Sequence, residues 1–427
     1  MKTSRYNWIV KSKEDYIVYN GFTGAISRVD ANNIGYITEI FNSDRASINT
    51  LNSDSAINQA LIDNGYIIDD DIDELFILEQ IFQARRYANL LDHITVIPTY
   101  DCNFCCDYCF ESNRSKTNSG VRISNAVIDK IISIASSTRG SEFHITFFGG
   151  EPLLALDECL RISDNVKTRI EARNALYDAF IVTNGYLLTD NTARKLRNVG
   201  ISHAQVTIDG DKNTHDMQRR LRNATGDSAN TFDRILANVI ASKDIIDIRI
   251  RITLDRGNEP QIDQLTSILD ENAISYYLAP VKWYPTDSRG DTSANRALCG
   301  SINPEAAFKN DILFARAAGC AASEFFNTFV CPDGSLLRCW EEVGKDISYG
   351  NILNDSFPDI TKSRAWLEWN PYAENSECRL CKMLPTCGGG CPLDSITQNS
   401  SPCIYTPETY AEYIRVNYKL KQDMRTD

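Results

Sequence analysis

Between residues 93 and 281 the chain alternates short apolar runs with amphipathic stretches of helical period. Apolar runs at 93–100, 143–148, 179–183, 204–208, 245–254 and 276–281 predict six strands. Segments near 123–137, 156–173, 189–199, 229–242 and 260–271 carry apolar residues three and four apart, predicting five intervening helices. Parallel strands need crossover connections, usually helices, so the alternation predicts an α/β fold with a parallel sheet. The sheet is either open or curled into a partial barrel. In both cases reactive groups belong on loops at the C-terminal strand ends.

Residues 1–92 read as a separate small α+β domain. Strand-like runs at 8–10, 16–19 and 25–29 surround turn signals at Asn20, Gly21 and Gly24. Helical stretches near 33–42 and 54–64 follow, then a short run at 66–69 and a charged helix over about 71–90. The sheet-forming domain is placed at 93–285, and a third region covers 286–427. That region has a helix near 304–318, three consecutive glycines at 388–390 and a terminal helix over 407–423.

Composition narrows the class. At 427 residues the chain is long enough for two or three domains. A hydrophobic share of 43% and a charged share of 24% are those of a globular protein. No run approaches about 18 consecutive apolar residues and the N-terminus lacks a signal-peptide core, so a cytoplasmic protein with no membrane partner is expected. A net charge of −13 argues against a nucleic-acid partner. The 14 cysteines are clustered, four in 102–109 and nine in 299–403, and clustered thiols in a long reduced chain point to metal.

The first cluster follows strand one directly. Cys102, Cys106 and Cys109 have C-x3-C-x2-C spacing, with Cys105 a fourth thiol inside the loop. Three thiolates from one loop can hold three irons of a cubane and leave the fourth open, whereas a closed structural zinc site uses four ligands. Residues 102–110 resemble the signature of the radical SAM superfamily, with the aromatic Phe110 after the third cysteine. In that family the open iron chelates S-adenosylmethionine (SAM), and one electron then releases a 5′-deoxyadenosyl radical. The resemblance implies a partial (β/α)6 TIM-like barrel.

Further strand ends extend the likeness. Gly149-Gly150-Glu151-Pro152 resembles the family's GGEP motif, in which Glu151 would accept from the SAM ammonium. Thr183 and Asn184 match its ribose-side position. Thr207-Ile208-Asp209-Gly210, then His215-Asp216 and Arg219, resemble its S-x-D-G…HD-x-x-R stretch, where Thr207 and Arg219 would hold the SAM carboxylate. An arginine fork suits a carboxylate. Alternative readings are a structural hydrogen bond for His215 and a solvated helix face for Arg219.

The later cysteines resemble the seven-cysteine SPASM domain carried by some radical SAM enzymes. Cys320 and Cys339 give C-x13-G-x4-C through Gly334. Cys378, Cys381, Cys387 and Cys391 follow at the family spacing, then Cys403. A zinc ribbon would account for Cys378, Cys381, Cys387 and Cys391 but not for the others. The resemblance implies two auxiliary 4Fe–4S clusters beside the SAM-binding one, three in all. Cys378, Cys381, Cys387 and Cys403 would hold one. Cys320, Cys339 and Cys391 would hold the other, completed by Cys299, with Cys331 the competitor. Cys105 and Cys159 read as ordinary thiols.

SPASM-type enzymes mostly act on peptides, and residues 1–92 resemble the recognition element (RRE) of ribosomal-peptide maturases, which adds a leader segment to a sheet edge. The expected function is a peptide maturase that abstracts hydrogen from a leader-bound, ribosomally made precursor and installs a thioether or C–C cross-link. A flavodoxin or ferredoxin would supply low-potential electrons. The alternative is an anaerobic sulfatase-maturing enzyme forming formylglycine. Such enzymes resemble one another in an aspartate after the second SPASM cysteine, where this chain has Trp340, Glu341 and Glu342.

Overall fold

The computed structural model describes the chain apart from residues 13, 44–54, 88–92, 107, 110–119, 255–261, 281–319, 326, 344, 346, 355–361, 375, 399–402, 404 and 424–427. Phe110, Cys299 and the helix expected near 304–318 lie outside the described residues. Two compact units emerge: residues 1–88 with 299–324 and 366–427, and residues 89–298 with 325–365.

The first unit begins with β1 (Lys2–Thr3), β2 (Asn7–Ser12), β3 (Asp15–Asn20) and β4 (Ile26–Val29), then α1 (Ile34–Asn42), α2 (Ala56–Asp63), β5 (Ile67–Ile68) and α3 (Glu74–Arg86). β2, β3 and β4 form an antiparallel meander, while β1 pairs with β5. The turn after β3 is built by Asn20, whose Oδ1 accepts from the N–H groups of Phe22 and Thr23, both at 2.8 Å. The two-residue period of a strand then splits β3 between two cores. Val18 packs with Ile37, Ile40 and Leu61, and Ile17 and Tyr19 pack with Tyr410, Tyr413 and Ile414 of the C-terminal helix.

The second unit is the predicted α/β sheet. Its elements are β6 (His93–Val96), α4 (Asn125–Ser137), β7 (Glu142–Phe147), α5 (Leu156–Glu171), β8 (Leu176–Thr183), α6 (Asp190–Asn198), β9 (Ile201–Ile208), α7 (Lys212–Gln218), α8 (Phe232–Ser242), β10 (Asp247–Leu254), α9 (Ile262–Glu271) and β11 (Ser275–Pro280). Strands β6 to β11 lie in sequence order and pair in parallel. On one face Phe143, Ile145, Phe147, Ile181, Ala204, Val206, Ile250 and Ile252 are fully buried. Their neighbours on the other face, His144, Thr146, Phe180, His203, Gln205, Arg249 and Arg251, are only half-buried. That second face is polar.

Two details differ from the expected pattern. The first strand ends at Val96 rather than residue 100, because Pro98 cannot extend a ladder and the chain turns toward Arg122. The sheet also gains β12 (Phe329–Val330), parallel to β6, and β13 (Leu336–Leu337), antiparallel to β12. Two-residue strands leave no readable period.

Candidate active site

The cysteine loop leaves the C-terminal end of β6 and is held by groups from the next three strand ends. Gly150 N–H donates to the Thr99 carbonyl at 3.3 Å and Glu151 N–H to the Asp101 carbonyl at 2.7 Å. A Cβ on Gly150 would lie 2.3 Å from the Asp101 oxygen and 2.5 Å from the Tyr100 oxygen, so only glycine allows the two backbones to touch. From the end of β8, Asn184 Nδ2 donates to Asn103 Oδ1 at 2.8 Å. Beyond β9, Cys105 N–H donates to the Arg220 carbonyl at 2.9 Å and Arg222 N–H to the Asn103 carbonyl at 2.7 Å. This pairing centres on a bridge between Phe104 and Leu221.

Glu151 is fully buried. It accepts from Thr183 Oγ1 at 2.7 Å, from Asn184 N–H at 2.7 Å and from Leu153 N–H at 3.0 Å. Burial pushes its carboxyl up, and these bonds oppose the shift. A carboxylate has about four acceptor positions, so one remains for an ammonium. Thr183 and Asn184 thus first brace Glu151 and the loop.

Arg219 is buried, and its Nη1 donates to the Tyr108 hydroxyl. Tyr108 donates in turn to Asp209 Oδ2 at 2.5 Å, and Arg219 lies 3.9 Å from Asp209 Oδ1. Burial lowers the arginine's pKa, but Cys106, Tyr108 and Asp209 more than reverse this. The cation therefore sits beside the cysteine loop rather than on a solvated helix face. Its Nε is buried without a hydrogen bond among the described residues. Asp209 is fully buried; burial raises its pKa, and Arg219 and Tyr108 oppose that. His215 is a structural group: its Nδ1 accepts from Asp209 N–H at 3.2 Å and its Nε2 lies 3.1 Å from Thr231 Oγ1. Thr207 is buried two residues before Asp209.

A family model of the radical SAM superfamily matches residues 96–265, the segment that forms this sheet and its cysteine loop. The chain carries a radical SAM domain. Fe-coproporphyrin III synthase of Methanosarcina barkeri is 28% identical over 184 residues, 41% of this chain and 40% of that protein. Radical SAM cyclopropyl synthase TigE of Paramaledivibacter caminithermalis is 24% identical over 311 residues, 64% of each chain. The matched regions thus span less than two thirds of these relatives. Among solved structures, anSMEcpe with bound AdoMet has a TM-score of 0.61 at 16% identity, covering 78% of this chain and 96% of that one. SuiB of Streptococcus suis, bound to precursor peptide SuiA, has a TM-score of 0.53 at 16% identity over 96% of this chain and 99% of that one. At such identities the likeness is one of fold.

A radical SAM domain uses a 4Fe–4S cluster and SAM, and its thiols suit such a cluster. Cys102, Cys106 and Cys109 are all half-buried. Burial, Glu151 and the neighbouring Cys106 push the Cys102 thiol up, so loading iron there must expel its proton. No three metal-ligating side chains among the described residues gather tightly enough for a single ion. A cubane asks for something else, one thiolate per iron and sulfurs spread around the cluster.

In the first unit Cys378, Cys381, Cys387 and Cys403 line one cavity of about 230 Å³ with Met383, Leu384 and Tyr405. Gly389, also on its wall, has φ +87°, and a Cβ there would strike Pro371 at 2.3 Å. Cys320 and Cys391 belong to this unit and Cys339 to the second. Cys331 is fully buried among Ile97, Tyr100, Phe329 and Leu337, and Cys159 is fully buried on α5, packing positions for both. Glu342 is a buried cap accepting from the N–H groups of Arg338 at 3.0 Å and Cys339 at 3.1 Å. Its other oxygen accepts from the Tyr349 hydroxyl at 2.5 Å.

Tyr108 falls outside the family signature, in which the loop's aromatic residue follows the third cysteine. The available signal was an aromatic one position before it. Asp209 was quoted within a motif without a role, since only the fold shows that it meets Tyr108 and Arg219.

Proposed function

We propose that this enzyme is a peptide maturase, which binds a leader-bearing, ribosomally made precursor and installs a thioether or C–C cross-link. Bound at Cys102, Cys106 and Cys109, the cluster supplies the electron that cleaves SAM into methionine and a 5′-deoxyadenosyl radical. Glu151 receives the SAM ammonium, Arg219 and Thr207 its carboxylate, and Thr183 and Asn184 the ribose side. Cross-linking removes two hydrogens from the peptide, one as an atom taken by the radical and one as a proton. Cys378, Cys381, Cys387 and Cys403, and separately Cys320, Cys339 and Cys391, would hold auxiliary clusters able to accept the remaining electron, and a flavodoxin or ferredoxin would supply the low-potential electron for each cycle.

The observation that carries the peptide reading is the N-terminal sheet. Among the described residues β4 is one of its two edges, and a cavity of about 280 Å³ runs beside it, lined by apolar Val29, Ile37, Ile57 and Leu61 and by polar Arg28 and Asn33. An edge strand beside a mixed apolar and polar trough suits strand addition by an extended segment. That SuiB was solved with a precursor peptide supports the same reading. Formylglycine formation is less favoured, because Trp340 stands after Cys339 and Glu342 is a buried cap.

The test is anaerobic reconstitution with SAM, dithionite and the short peptide encoded beside this gene. Formation of 5′-deoxyadenosine, its loss on replacing Cys102, Cys106 and Cys109 with alanine, and a peptide lighter by two hydrogens are expected. Persistence of 5′-deoxyadenosine in the triple variant would refute the radical chemistry. A product aldehyde on a sulfatase-derived cysteine peptide would favour the alternative.

A further inference from the structure

The polar face of the radical SAM sheet holds an arginine, Arg251, with no hydrogen bond or ion pair among the described residues. Arg251 lies on β10, in register with Thr207 on β9 and Tyr277 on β11. It alternates with the fully buried Ile250 and Ile252, so its side chain leaves the sheet on the half-buried face. Nearby polar groups are engaged with one another. Tyr277 donates to Gln205 Oε1 at 2.7 Å, and Arg249 stacks with its guanidinium 5.2 Å from the Tyr277 ring centre. Arg219 is bonded to Tyr108. Arg251 makes no hydrogen bond or ion pair with any described residue, and its one recorded interaction is a longer-range attraction to buried Asp209.

Asp209 is thus shared by two arginines, Arg219 at 3.9 Å and Arg251, so among the described residues two cations face one buried carboxylate and Arg251 has room for a second counter-charge. Its planar fork fits a carboxylate through two parallel N–H donors. We propose that Arg251 receives a carboxylate of the peptide substrate, the side chain of an aspartate or glutamate near the residue that loses hydrogen. This rests on the peptide-maturase reading and gives it a substrate class: precursors whose core carries an acidic residue beside the modified one. Arg219, held beside the cysteine loop, is left to serve SAM.

The test is arginine-selective labelling with phenylglyoxal of the anaerobically reconstituted wild-type protein, read at individual arginines by peptide mass mapping. The probes are SAM alone, SAM with a synthetic pentapeptide acetyl-Gly-Ala-Glu-Ala-Gly-amide, and SAM with its glutamine counterpart. With the glutamate peptide at about ten times its dissociation constant, Arg251 should label about tenfold more slowly, as simple occupancy requires. The glutamine peptide should leave the rate unchanged, and exposed Arg161 should be indifferent to both. Protection of Arg251 by SAM alone would assign it to the methionyl carboxylate and overturn the proposal. Equal rates with all three probes would overturn it too. Whether the same preparation forms 5′-deoxyadenosine is read separately, so failure of the parent reading is distinguishable from failure of this one.

Discussion

At the scale of single residues the site is organised around what holds the cysteine loop. Tyr108 lies between Cys106 and Cys109, donates a hydrogen bond to Asp209 and accepts one from Arg219. Removing that hydroxyl frees Arg219 to rotate and leaves the Asp209 carboxylate short of a donor. Hydrogen bonds to charged groups contribute about 1.5–3 kcal/mol, so Tyr108→Phe should weaken SAM binding by about tenfold or more. Equilibrium binding to reconstituted protein measures this, and iron content should stay at the wild-type level. Unchanged SAM affinity would mean that the clasp is incidental. Gly150→Ala acts differently. Its Cβ would meet two backbone oxygens that no side-chain rotation can clear. The loop must shift, and the variant should lose the SAM-dependent change in the cluster's electron paramagnetic resonance spectrum. Retention of that change would show that the loop tolerates displacement.

At the scale of elements, the alternating sheet was legible because β6 to β10 each carry fully buried residues and each of the five intervals between the six strands holds a helix. The strand ends were legible as motifs, but their partners were not. Glu151 reads as a ligand group in the sequence, and only the fold shows three of its acceptor positions already used within the protein. β12 and β13 were illegible because two residues carry no period. The lower end of the sheet makes its own prediction. His93 on β6 is bonded to Thr146 at 3.0 Å on β7, and burial, aided by His144, lowers its pKa to about 4. The unfolded chain titrates near 6.5, so it binds more protons than the folded chain between these values. Stability is therefore full above about pH 6.5 and is lost as the pH falls toward 4, by up to about 3 kcal/mol at about 1.4 kcal/mol per unit. His93→Gln has no such titration. Its stability difference from wild type, by denaturant unfolding at pH 7.5 and at about pH 5, should shrink on acidification. A constant difference would exclude His93 as the cause.

For the whole molecule, the decisive quantity is iron. The two units distribute the cysteines unequally. The radical SAM loop lies in one, and the four-cysteine cavity of Cys378, Cys381, Cys387 and Cys403 lies in the other. On the proposed assignment, a cavity lined by four thiols suits a fully ligated cluster with no open iron, one that would pass electrons without binding substrate. A fully ligated cluster differs in kind from the loop's, where three cysteines leave a position for SAM. On the proposed assignment of three four-iron clusters, reconstituted protein should carry about twelve irons per chain. Replacing Cys381 and Cys387 with alanine should remove about four of them and leave the SAM-responsive spectrum intact. The same double variant should still form 5′-deoxyadenosine, because cleavage of SAM needs only the loop's cluster, yet release little cross-linked peptide, because the electron left on the substrate has lost its exit. Loss of both products together would place the four-cysteine cavity upstream of SAM cleavage, and a wild-type content of about four irons would remove the auxiliary clusters altogether.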